Sequence, residues 1–282
     1  MGQLGEFALA LSGGGAAALG HVPILEVLDR LELRPVAVAG TSMGAVIGAC
    51  HASGMDGAAM RRHLEGVLGD RWSLLRRVTG AMGLEGLGSL PAMDPLRMVE
   101  AFLPDGVPER FEDLEIPLRV IATDYHAQEQ KIFDSGPLRP ALAASIAIPG
   151  VFRPHALGGR VYVDGGVVNN LPFDALPDAA MVIAVDMATE TPNGDAGEVP
   201  GTIECTMGAM QVMMRAMLEL RMRTEAPEML VRSGAGRFRA LEFHRLREIL
   251  DASAPAAEKL QRLLEGWTEE AERPRPVVVT GD

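Results

Sequence analysis

An α/β fold with a mostly parallel central sheet follows from three observations. Short apolar runs at residues 7–11 and 36–39 have the length of buried strands. Each runs into a glycine-bearing turn, and each turn opens a segment of helical spacing. The resulting order, β-loop-α-β-turn-α, needs crossover helices, which join parallel strands.

Phe7-Ala-Leu-Ala-Leu11 is the first strand and ends at Ser12-Gly13-Gly14-Gly15. Residues 16–33 carry Leu19, Val22, Ile24, Leu25, Leu28 and Leu31 at helical intervals, with Pro35 as the stop. The second strand enters Gly40-Thr41-Ser42-Met43-Gly44, and residues 45–53 read as the next helix, closed by Gly54. A further helix is expected at 56–68 and irregular structure at 69–92. Strands are expected at 117–123, 160–163 and 181–185, with 130–133 as an antiparallel partner of the first of these. Helices are expected at 137–145 and 203–223, and an exposed loop at 191–201. The remainder reads as polar helices and a Pro-rich tail. The whole, 1–282, reads as one domain with a core at about 7–187 and a C-terminal helical part at about 203–270.

Composition narrows the function. With 282 residues and 48% apolar content the chain can bury a sizeable core. A net charge of -12 repels polyanions, which argues against nucleic acid as a partner. Arg61, Arg62, Arg71, Arg76 and Arg77 form a local basic group suited to acidic head groups or to a solvated helix face. Cys50 and Cys205 lack metal-ligand spacing and read as reduced thiols of a cytoplasmic protein. No apolar run reaches spanning length, so any membrane contact is expected to be peripheral.

Three stretches carry chemistry. Gly40-Thr41-Ser42-Met43-Gly44 matches G-x-S-x-G, which lifts a serine out of a tight strand-to-helix turn. The amides of the following helix favour a developing anion at the same spot. A plain helix cap is the simpler alternative. Gly13-Gly14-Gly15 bares backbone N–H groups, which suits an oxyanion hole or a phosphate-cradling turn. Asp164-Gly165-Gly166, followed by Asn169 and Pro172, puts a carboxylate at a strand end; an Asp-Gly hairpin turn would look the same.

Together these stretches resemble the patatin-like phospholipase family, in its small bacterial form. Ser12–Gly15 with His21, Ala122-Thr-Asp124, Phe133-Asp-Ser-Gly136 and Ala144-Ser-Ile-Ala-Ile-Pro-Gly-Val-Phe152 add to the match. The resemblance implies a three-layer α/β/α fold and a Ser-Asp dyad without a catalytic histidine. It implies Ser42 as nucleophile, Asp164 as base and Gly13, Gly14 and Gly15 as oxyanion hole. Gly40, Met43 and Gly44 would form the elbow, and Gly165, Gly166 and Asn169 would support the site. No cofactor and no metal are expected. The family loop usually continues with Arg and Gly, where this chain has Ala17 and Ala18.

A Ser-His-Asp triad is the catalytic rival. Only His244 follows Asp164, in a stretch that reads as a surface helix; His21 is expected to pack locally, and His126 and His155 to lie in loops. The expected substrate is a lipid acyl ester: phospholipid, lysophospholipid or neutral ester. An acyltransferase on a related fold, or a non-catalytic nucleotide- or phosphate-binding module, is the alternative. The methionines at 207, 210, 213, 214 and 217 suit a buried core or dimer helix, or a lipid-adapting surface.

Overall fold

The computed structural model describes residues 5–69, 92–177, 181–187, 199, 201–267 and 276–281, with backbone alone at 202–204. The expected irregular stretch at 69–92 and loop at 191–201 lie almost wholly outside these residues, as do Arg71, Arg76 and Arg77.

The chain forms a three-layer α/β/α fold on one mixed sheet. Its strands are β1 (Phe7–Leu11), β2 (Ala37–Thr41), β3 (Leu118–Asp124), β4 (Glu129–Phe133), β5 (His155–Leu157), β6 (Arg160–Asp164), β7 (Met181–Asp186), β8 (Met229–Arg232) and β9 (Val277–Thr280). They lie in the order β5-β6-β3-β2-β1-β7-β8-β9, with β4 also paired to β3. The run from β3 through β9 is parallel; β4, β5 and β6 are antiparallel additions.

Alternation along the strands separates the two faces. Phe7, Leu9 and Leu11 of β1 and Val38 of β2 enter the larger core. That core is closed by α1 (His21–Arg30), α2 (Met43–Ala52), α3 (Gly57–Leu68), α4 (Pro95–Phe102), α5 (Leu138–Ser145) and α7 (Leu246–Glu265). Ala8, Ala10, Ala37 and Ala39 face the other way, beneath Phe173, Leu176 and α6 (Thr202–Thr224). α2 is buried along its whole length, as the crossover reading of its apolar sequence requires.

Several expectations change. The segment expected as one helix at 16–33 is a 3-10 turn over Gly15–Gly20 followed by α1, because Pro23 has no N–H to donate back to Leu19 and is tolerated only in the first turn of an α-helix. The C-terminal part is not purely helical: β8 and β9 extend the parallel sheet, with Met229, Leu230 and Val231 fully or nearly fully buried. Leu218 is the one buried side chain among those described in α6, and Val212 and Met213 are exposed, so its methionines do not form a buried core helix. Arg61 is not a free cation: it forms a two-pronged ion pair with Glu26 at 2.7 and 2.8 Å.

The two faces should respond to opposite errors. Leu9→Ala is expected to lose about 2–5 kcal/mol by leaving a cavity. Ala10→Leu is expected to lose about 1–3 kcal/mol by overfilling. Urea unfolding of each variant measures both.

Candidate active site

Strand register brings the two candidate side chains, Ser42 and Asp164, together. β4 fills one edge of β3 from Val120 to Asp124. β2 and β6 therefore share the opposite edge and approach along it from opposite ends. Thr41, the last residue of β2, pairs with Ile121, and Asp164, the last of β6, pairs with Ala122. Ser42 and Asp164 meet where the two strands run out. The Ser42 hydroxyl donates to Asp164 Oδ2 at 2.6 Å.

Ser42 holds an uncommon backbone conformation for a non-glycine residue, φ 54° and ψ -130°. Such a conformation persists only where its surroundings over-determine it. Its N–H donates to Ser145 Oγ at 2.8 Å, and Ser145 donates in turn to the Ile121 carbonyl at 2.5 Å. Thr41 Oγ1 donates to the Asn169 carbonyl at 2.7 Å. The strained turn is thus tied to β3, α5 and the segment after β6. The simpler cap reading fails at this point, since neither Thr41 nor Ser42 caps α2 with its side chain.

Asp164 is buried. Its Oδ1 accepts the Gly166 N–H at 2.7 Å, and its own N–H donates to the Ala147 carbonyl at 3.0 Å. Burial pushes its pKa up from 3.8 to about 6, against the opposing pull of the hydrogen bonds from Ser42 and Gly166. A carboxyl group in that range is a better match to neutral-pH proton transfer than an exposed aspartate.

The glycine loop lies against the serine: a Cβ on Gly13 would stand 3.1 Å from Ser42 Cβ. Its three amides are not equivalent. The Gly13 N–H donates to the Asn170 carbonyl at 3.1 Å, which removes it from the expected set of donors. Among the described residues, the N–H groups of Gly14 and Gly15 have no such partner. Ala17 and Ala18 are buried in the 3-10 turn that follows.

The remaining expected residues fall into place around this centre. Gly40 and Gly44 lie where α2 packs directly on backbone, Gly44 against Ser12. Met43 is buried beside Ser42. Asn169 turns its side chain away from the pair, donating to Gln130 at 2.9 Å and Asp174 at 2.7 Å, so it braces the site through its backbone. No described histidine hydrogen-bonds Ser42. His21 is fully buried with its Nε2 bonded to the Ser12 carbonyl at 2.9 Å, and burial lowers its pKa to about 4. It is neutral at pH 7 and donates that hydrogen bond. His155 belongs to β5 rather than to a loop, and His244 to a 3-10 turn ahead of α7.

Beside Ser42 opens an apolar pocket. Met98, Ile146, Ile148, Phe152, Leu241 and Phe243 line it. Its free volume is about 20 Å³, room for about one water. Neither Ser145 nor the 241–243 segment stood out in the sequence. Ser145 lay inside the quoted Ala144–Phe152 block, but its tie to Ser42 spans 103 positions.

Comparison with known proteins decides the family. The model described as "Patatin-like phospholipase" matches residues 9–177, more than half of the chain. This chain belongs to the patatin-like phospholipase family. An uncharacterised NTE family protein of Mycobacterium tuberculosis is 36% identical over 184 residues, 64% of this chain and 48% of the relative. Patatin-like phospholipase domain-containing protein 6 of Homo sapiens is 28% identical over 188 residues, 65% of this chain and 13% of the relative. The chain thus spans about half the length, or less, of these curated relatives. Among solved structures, VipD from Legionella pneumophila matches at TM-score 0.44 and 14% identity, covering 94% of this chain and 71% of that one.

Ser145→Ala should leave the Ser42 N–H buried without a partner. The expected cost is about 1–3 kcal/mol, read as a lowered urea midpoint at unchanged slope.

Proposed function

We propose that this chain is a serine acyl hydrolase that cleaves acyl esters of lipids through a Ser42–Asp164 dyad. The observation that carries this reading is the 2.6 Å hydrogen bond from the Ser42 hydroxyl to a buried carboxylate. Membership of the patatin-like phospholipase family supports lipid hydrolysis in general.

In the proposed reaction Ser42 Oγ attacks the ester carbonyl carbon while its proton passes to Asp164. The carbonyl oxygen becomes an oxyanion facing the free amides of Gly14 and Gly15, helped by the positive end of α2. As the intermediate collapses, the carbon–oxygen bond breaks and Asp164 returns the proton to the departing alcohol. Water then attacks the acyl-enzyme, Asp164 takes its proton, and the acid leaves as that proton is handed back to Ser42. The net change is ester plus water to acid plus alcohol, with no cofactor or metal required. Losing one oxyanion donor typically costs about 100- to 1,000-fold, so Gly14 and Gly15, rather than Gly13, carry that part of the proposal.

The apolar pocket beside Ser42 supports a substrate with a hydrocarbon acyl group. No helix among the described residues is long and apolar enough to cross a membrane, so the lipid would be met at a surface or in dispersed form. The acyltransferase alternative needs a histidine beside the serine, and no described histidine bonds to it. The phosphate-binding alternative predicts a tightly held phosphate at the glycine loop and an unreactive Ser42.

Fluorophosphonate labelling with the modified peptide mapped should place the label on Ser42. Ser42→Ala should lower turnover by about 1,000-fold or more, and Asp164→Asn by about 100- to 10,000-fold. Full ester turnover in either variant overturns the dyad.

Since the base must be ionised, kcat/KM should rise with pH through about 6 and then level off. Stability has the opposite sign. A folded-state pKa raised above the unfolded 3.8 means the fold binds this proton more tightly, so stability falls as pH rises from about 4 to about 6. Asp164→Asn should therefore be the more stable protein at pH 7, by on the order of 2–3 kcal/mol, with the gap closing at pH 3. Denaturant titrations at both pH values test this.

A further inference from the structure

Ala240, Leu241 and Phe243, on a short strap of chain, line the apolar pocket, 63 or more positions beyond the end of the family match at residue 177. Two contacts seat it. The Ala16 N–H donates to the Ala240 carbonyl at 2.8 Å. The Ala240 backbone lies so close to Gly15 that a Cβ there would collide with the Ala240 carbonyl, and Gly15 holds φ +57°. The strap therefore rests on the glycine loop that lies against Ser42.

From this seat it sends two apolar side chains toward Ser42. Phe243 is half-buried and packs its ring on Phe102 of α4, centroids 5.1 Å apart. Leu241 lies at the lip, 54% exposed although it lines the pocket. Ile146, Ile148 and Phe152, which also line the pocket, follow α5 and belong to the family-matched part of the chain. The free space among these residues is small, about one water's worth, and the pocket opens to solvent past Leu241. The side chains that line it therefore bear on how much of a hydrocarbon chain enters, and Ile146, Ile148 and Phe152 are buried in the core.

We propose that Leu241 and Phe243 are specificity-determining residues that set how long an acyl chain the site accepts. The inference rests on the reading of Ser42 as the nucleophile. It assigns acyl-length selection to a segment supplied from outside the region shared with the family. A single methylene in an apolar pocket changes discrimination by about 10- to 200-fold, so one ring is enough to shape a chain-length profile.

The test is a series of p-nitrophenyl esters, acetate, butyrate, octanoate and laurate, with kcat and KM measured for each. Phe243→Ala is expected to raise the laurate-to-acetate ratio of kcat/KM by about tenfold or more. Leu241→Ala should shift the ratio the same way by less, and Phe243→Trp should lower the butyrate-to-acetate ratio. Thermal melts confirm that each variant is folded. Should Phe243→Ala fail to fold, Leu241→Ala, at an exposed position, and Phe243→Leu carry the test. Ratios unchanged from wild type in the folded variants overturn the strap's role. The dyad fails separately, if Ser42→Ala hydrolyses the esters at the wild-type rate.

Discussion

The site depends on one constraint in the sheet: β2 and β6 occupy the same edge of β3 from opposite ends. A strand edge offers one row of hydrogen-bonding groups, so two strands that share it must stop where they meet. The residues at that limit are held in fixed relative positions by the ladder itself. Asp164 closes β6 and Ser42 follows β2 directly, and neither needs a flexible loop to find the other. Rigid elements place reactive groups more closely than loops do.

That economy has a cost in local comfort. Ser42 sits in a backbone conformation that side chains disfavour, and Asp164 ionises in a buried setting. Both are features that folding alone would remove. The surrounding bonds, from Ser145, Thr41, Thr123 and the Gly166 amide, are what keep the strained turn and the buried carboxyl in register. The expense is concentrated at the place where the chemistry is proposed to occur, as expected where local rules yield to function.

Much of this was legible in the sequence because it is local. The strands at 7–11 and 181–185 and the elbow around Ser42 announce themselves by apolar runs and glycines. What stayed hidden is long-range or spread thin. Gly13 looks identical to Gly14 and Gly15 until the Asn170 carbonyl, distant in sequence, takes its amide. β9 is three valines and a threonine inside a tail whose prolines and arginines suggest no sheet at all; its partner strand is the missing information. Arg61 reads as a free charge until Glu26 is found beside it. The strap at 240–243 has no motif, since what matters there is a backbone carbonyl and the absence of a side chain on Gly15.

The outer layer over the alanine face has a different character from the rest. α6 runs for 23 residues, yet Leu218 alone among its described side chains is buried, and Met222, which packs beside it on the alanine face, is soft and unbranched. Local opening follows the density of buried contacts rather than the length of an element. Among the described elements α6 is therefore expected to open before the sheet beneath it. In hydrogen–deuterium exchange its amides are expected in an early, subglobal unit, and those of the buried strands β1, β2 and β7 in the last unit to open.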